Sequence, residues 1–469
     1  MDLVWRVELT ASQKREGRLP LQRLLGTSHY RSPRTIQPTL STVIAVALLF
    51  ASAGAESQSP ANKEEPESHL RFTLILSRHG IRPPLVAASN LNLRASDPWP
   101  EWEVPLGYLT PHGALAIKKM GTYMRLDFAR RGLLSRSGCP DSGEIYLYAD
   151  TDERNVESTR ATLAGLEPGC DSVPINTIDP ALGVKDPLFS AVPSTFAPPP
   201  KDAADADFHA AVGNDPVAFF SSAANPGLDQ LARILAPDHA HPAAKPILDD
   251  ARPLTAASTL IEDLLLEYLD DKPMSEVGWG RIDEPALRRL LPLHTKQFSL
   301  GTRTPLNART EGSNLMAHIL WTLEQAAQSR EHKPVPGALG PVSTRLVYVS
   351  GHDSNLCNIG GLLDVRWDAD GRTDDTPPDS QIVFELWQSA RTKEYTVRLR
   401  FRAQTIGQLR FSEDLTLSSP PVEVNLTPPG CHSSQPCSFS NFDHAVHSLL
   451  DPAYVKADLL PTRVAAAQP

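Results

Sequence analysis

Three short β-prone runs, far apart in the chain, each end in a charged turn. Phe72-Thr73-Leu74-Ile75-Leu76-Ser77 runs into Arg78-His79-Gly80-Ile81-Arg82-Pro83-Pro84. Glu144-Ile145-Tyr146-Leu147-Tyr148-Ala149 runs into Asp150-Thr151-Asp152-Glu153-Arg154, and a helix is predicted from about Asn155 to Leu166. Arg345-Leu346-Val347-Tyr348-Val349 runs into Ser350-Gly351-His352-Asp353, and a helix is predicted over 354–363. Short β-branched and aromatic runs alternating with helices predict parallel strands of an α/β domain. Ligands of such sheets collect at the carboxyl ends of the strands. The three charged turns are therefore expected to meet in one pocket.

Between the second and third units the chain changes character. Residues 191–207, rich in Pro, Ala and Asp, read as a linker, and helical patterns dominate from about 207 to 324. The expected fold class is α/β: a mainly parallel sheet flanked by helices, built from residues 69–196 and 325–455, with a mostly helical subdomain inserted at 197–324. The last helix of the insertion, 311–327, is expected to return to the sheet. The alternating run Tyr395-Thr396-Val397-Arg398-Leu399-Arg400-Phe401 is expected to add antiparallel strands, and residues 456–469 form a tail.

The apolar run from Thr42 to Phe50, followed by Ala51-Ser52-Ala53-Gly54-Ala55 and preceded by Arg23, Arg31 and Arg34, has the layout of a secretory signal. The expectation is a signal peptide at 1–55 cleaved near Ala53 or Ala55, a loose polar leader at 56–68, and a periplasmic or secreted product with no stable membrane insertion after cleavage. The run is short for a membrane span. Residues 1–55 hold seven Lys/Arg against three Asp/Glu, so a chain of net charge −10 becomes −14 without them. An acidic protein of this kind makes a poor nucleic-acid binder. Five cysteines remain, Cys139, Cys170, Cys357, Cys431 and Cys437, and export makes disulfides plausible. No CxxC spacing occurs, so a zinc site is not expected.

The first charged turn carries the chemistry. Guanidinium forks match phosphate oxygens in charge and geometry, and a neutral imidazole between two of them can attack phosphorus and hold the phosphoryl group covalently. Three cationic side chains buried together without an anion would be costly, so Arg78, His79 and Arg82 point to phosphate. Gly80 is expected to let the backbone turn tightly beside the bound oxyanion. His352 at a helix start can donate to phosphate, and Asp353 can protonate the leaving oxygen, which favours acidic pH; the plain reading of Asp353 is an N-cap. Arg154 fits as a third pocket arginine. Arg303 and His294 are weaker candidates. Cys357 reads as a buried free thiol on a helix.

These residues resemble the histidine acid phosphatases, the branch of the histidine phosphatase superfamily with RHGxRxP near the N-terminus and HD late in the chain. Asp152-Glu153-Arg154, Asp186-Pro187-Leu188-Phe189, Gly278-Trp279-Gly280-Arg281-Ile282, Gly351-His352-Asp353-Ser354-Asn355-Leu356 and Thr376-Pro377-Pro378 look like the periplasmic phytase and glucose-1-phosphatase group. The resemblance implies His79 as phosphorylated nucleophile, Asp353 as proton donor, Arg78, Arg82, Arg154 and His352 as the phosphate clamp, no metal or other cofactor, and small phosphate monoesters as substrates. It also implies disulfides Cys139–Cys170 and Cys431–Cys437. In the phytase members a lysine follows closely after the first motif; here Leu85-Val86-Ala87-Ala88 is apolar. A broad or sugar-phosphate, glucose-1-phosphatase-like monoesterase is therefore expected, with phytase as the alternative. A mutase-like relative and a non-catalytic periplasmic phosphate-ester binding protein are the remaining readings.

Overall fold

Strand β1 (Ser68–Arg78) is buried along seven consecutive residues at its carboxyl end. That continuous burial is the mark of a central strand covered on both faces. The computed structural model describes residues 68–465, apart from 171, 193, 194, 214, 215, 239, 240, 251, 329–332, 433–435 and 461. The predicted signal peptide, the leader up to residue 67 and the last four residues of the tail lie outside the described residues.

The other strands are β2 (Ile145–Ala149), β3 (Ile175–Ile178), β4 (Leu346–Gly351), the small pair β5 (Asp368–Ala369) and β6 (Arg372–Thr373), β7 (Gln381–Ser389), β8 (Tyr395–Ala403), β9 (Val422–Leu426), β10 (Cys437–Ser438) and β11 (Thr462–Val464). The main sheet runs β10-β8-β7-β1-β4-β2-β3-β11, with β9 also on β8. Its core, β1-β4-β2-β3, is parallel, and antiparallel strands extend it on both sides. The three runs singled out in the sequence are thus direct neighbours, with β4 between β1 and β2.

Alternation sorts the side chains of these strands onto two faces. Leu74, Leu76, Val347 and Val349 pack with the helices Pro305–Ala327, Asp353–Leu362 and Phe439–Leu449. Ile75, Leu147 and Tyr348 pack with the helices Pro111–Arg130 and Glu153–Leu166. A separate apolar cluster joins the helices Pro216–Leu235, Pro253–Leu269 and Glu284–Thr302 to Ile81, Leu91 and Trp99 from the segment after β1. The helix Pro305–Ala327 sends Leu315, Met316, Ile319, Leu320 and Leu323 to the sheet. The linker expected at 191–207 is corrected: a helix, Lys201–Val212, begins inside it. The prolines stop at Pro200, and the alanine-rich stretch beyond is free to coil.

Cys139 is bonded to Cys170 and Cys431 to Cys437, while Cys357 is a buried free thiol that burial pushes up to about 12. Among the described residues no helix is long and apolar enough to cross a membrane.

Asp263 and Glu267 lie one turn apart on the helix Pro253–Leu269, and both are buried. Glu267 accepts from the Gly278 N–H at 3.0 Å, but Glu267 Oε1 and Asp263 Oδ2 meet no donor. Burial, and for Asp263 the neighbouring Glu262 charge, pushes each carboxyl up to about 8. Both are neutral in the fold at acidic pH, while the unfolded chain ionises them near pH 4. Stability is therefore lost as pH rises from about 4 towards 8, by on the order of a few kcal/mol. Asp263→Asn and Glu267→Gln are expected to raise the thermal midpoint more at pH 8 than at pH 4; equal shifts at both pH values would show that these carboxyls do not set the alkaline stability.

Candidate active site

Backbone hydrogen bonds from β4 hold the three charged turns in fixed relation. Ser350 O accepts from Asp150 N and Gly351 O accepts from His79 N, both at 3.0 Å. On the other side, Arg78 N donates to Ser380 O at 2.9 Å and Asp379 N to His79 O at 3.1 Å. The parallel register thus carries Arg78, Asp150 and His352 to the same end of the sheet. His352 is the N-cap of the helix Asp353–Leu362, and its N–H donates to Asn355 Oδ1 at 2.8 Å. Asp353 is not that cap but the first helical residue.

The nucleophile candidate sits deep: His79 is 2% exposed and Arg78 3%. His79 Nδ1 lies 2.8 Å from Gly80 O. A carbonyl can only accept, so Nδ1 carries the proton and Nε2 keeps its lone pair. The His79 and His352 rings meet edge to face, centroids 5.5 Å apart. Arg78 donates to Thr376 O and pairs with Glu262 and, at 2.9 Å, with Asp353 Oδ2. Arg82 reaches the same Glu262 oxygen at 3.4 Å. Arg154 pairs with Asp152 at 2.6 Å and lies 3.4 Å from His352 Nδ1. The Nε of Arg78, Arg82 and Arg154 is in each case buried without a hydrogen-bond acceptor.

Burial, and then Arg154, Arg78, His352 and Arg82, holds the His79 imidazole well below its usual range. It therefore stays neutral, and its lone pair available, at acidic pH. Glu262 shows the opposite balance. Burial pushes its carboxyl up, but Arg82 and Arg78 outweigh this and hold it at about 2.

Of the expected site residues, Arg78, Arg82, Arg154 and His352 lie close enough to bear on the His79 ring, and Asp353 joins them through its pair with Arg78. Arg303 does not join them: its guanidinium lies over Trp367, donates to Val365 O and faces Asp374 at 3.7 Å. His294 lies one layer behind, with Nδ1 3.0 Å from Ser258 Oγ and O, and its charge bears on Glu262. Gly80 is small for a reason other than a tight turn. It has no positive φ, and a Cβ there would sit 2.5 Å from Ile117 Cδ1 and 2.8 Å from Leu109 Cδ1. Glu262 and Asp150 escaped sequence reasoning; the signal for Glu262 is an acidic pair, Glu262-Asp263, breaking an otherwise apolar helical run. Among the described residues, two clusters of two carboxylates and a histidine lie close enough to share a cation, Asp150/Asp152/His352 and Glu324/Asp443/His447. In the first, the Arg154 guanidinium already pairs with Asp152 beside the ring.

Residues 69–402 match the family model of the histidine phosphatase superfamily, branch 2. The chain is 33% identical to phytase AppA of Escherichia coli, over 84% of this chain and 95% of that protein. It is 26% identical to glucose-1-phosphatase of Providencia rettgeri, over 87% and 98%. The apo form of Hafnia alvei phytase superimposes with a TM-score of 0.74 at 31% identity, covering 84% of this chain and 99% of the other.

Proposed function

The chain belongs to branch 2 of the histidine phosphatase superfamily and is a phosphatase of the histidine acid type; from that premise we propose that it hydrolyses phosphate monoesters through a phosphohistidine on His79, with a broad or sugar-phosphate preference. The observation that carries the reading is the group of Arg78, Arg82, Arg154 and His352 around a neutral imidazole whose Nε2 is free. The guanidiniums take the phosphoryl oxygens. Nε2 attacks phosphorus as the P–O ester bond breaks, and Asp353 gives its proton to the departing alcohol oxygen. The Asp353 carboxylate then takes a proton from water, whose oxygen attacks phosphorus. The P–N bond breaks, phosphate leaves, and His79 returns neutral. None of these steps requires a metal or cofactor.

The mouth beside Arg154 supports the substrate preference. Leu85 is 50% exposed and lies against Gly107, which has a φ of +74°; a Cβ there would sit 2.9 Å from Leu85 Cδ2 and 3.5 Å from Arg154 Nη1. Leu106 and Tyr108 of the same turn are exposed too, and Asp152 adds negative charge. An apolar and partly acidic rim suits a monoester with an uncharged alcohol better than a polyanion. Phytase is the second reading, favoured by the likeness to the Escherichia coli and Hafnia alvei phytases. Initial rates on glucose 1-phosphate, other sugar phosphates, an aryl phosphate and phytate at pH 4–6 separate the two. The monoesters are expected to exceed phytate in kcat/KM by about tenfold; phytate as the best substrate would overturn the preference. The two disulfides support export to an oxidising compartment.

A further inference from the structure

Asp150 is the first residue after β2, and it is buried. Its N–H is tied to Ser350 O, and its Oδ1 accepts from Thr151 N at 2.7 Å. Its other oxygen, Oδ2, lies 2.7 Å from His352 Nε2. A carboxylate only accepts, so Nε2 carries a proton. Asn155 Nδ2 lies 3.3 Å from the same nitrogen, a longer contact. On the far side of the ring, Nδ1 faces Arg154 Nη2 at 3.4 Å. A guanidinium only donates, so with no anion bound Nδ1 presents its lone pair. In that state His352 has no proton to give to a phosphate oxygen.

We propose that Asp150 is the positioning residue that turns His352 into a phosphate donor: by anchoring Nε2–H, it aims Nδ1 at the pocket and lets that nitrogen take a second proton when a phosphate oxygen arrives. The inference rests on the phosphatase reading of the pocket. The charged and titratable groups facing the ring are Asp150 and Asp152, at 2.7 and 3.7 Å from Nε2, Arg154 on the Nδ1 side, and the neutral His79 at its edge. Asp150 Oδ2 is the nearest of these to the ring, so replacing Asp150 removes the carboxylate that anchors Nε2–H.

The test uses inorganic phosphate as ligand, so that turnover is not needed. Asp150→Asn is expected to bind phosphate about as well as wild type near pH 4 and about tenfold more weakly near pH 7, and Asp150→Glu to recover part of the loss. A ratio of dissociation constants that does not change with pH overturns the proposal. The ring ¹⁵N shifts of His352 in the wild type provide a readout free of any folding defect in the variants. They should report a proton on Nε2 alone without phosphate and on both nitrogens with it; a singly protonated ring in the phosphate complex also overturns the proposal. Failure of wild type to bind phosphate would instead count against the phosphatase reading itself.

Discussion

His79→Ala is expected to remove turnover of every phosphate monoester, by about 10⁴-fold or more, while leaving the fold and phosphate binding in place. The imidazole contributes one hydrogen bond, to the adjacent Gly80 carbonyl, and the turn itself is held by backbone bonds to Gly351, Asp379 and Ser158 Oγ that alanine keeps. Arg78, Arg82, Arg154 and His352 remain to bind the anion. An acidic quench must be avoided in the covalent assay, because the P–N bond is acid-labile; rapid alkaline quenching followed by mass measurement should find the phosphoryl group on wild type and not on the variant. Turnover within tenfold of wild type would defeat the covalent route.

Asp353→Asn gives the second large effect. The expected loss in kcat is about 10²–10³-fold for alkyl phosphates and far less for activated aryl phosphates, whose departing oxygen needs no proton. The contrast between the two classes matters because Asp353 also pairs with Arg78 at 2.9 Å. Loosening that arginine would weaken both substrates alike, so equal losses would assign Asp353 to holding Arg78 rather than to proton transfer. An acidic working range is expected from the same pair of groups. The pocket cations and burial keep His79 unprotonated as pH falls, which leaves a nucleophile ready under conditions where a carboxylic acid can supply a proton.

Much of this site is legible in the sequence because strand chemistry is local. β-branched runs ending in charged turns report both the strands and the end at which they open, while the order β1-β4-β2 comes from the structure. The helical contributions are harder to read. Glu262 enters the site only because the helix Pro253–Leu269 turns that face towards Arg78 and Arg82, an orientation set by packing among three helices. Arg303 misleads for the converse reason: an arginine beside Thr302 and Thr304 says nothing about which way its fork points, and Trp367 and Asp374 claim it. Asp150 looks like a turn residue until its distance to His352 is known.

His79 follows β1 and Asp353 opens the helix after β4; those two strands are neighbours in space, yet most of the polypeptide separates the two residues. A chain still emerging from the ribosome displays His79 long before β4 exists to set its backbone or Asp353 to complete the acid. A chain that stops upstream of residue 346 lacks both the strand that ties the His79 backbone and Asp353, so it is expected to show no phosphatase turnover.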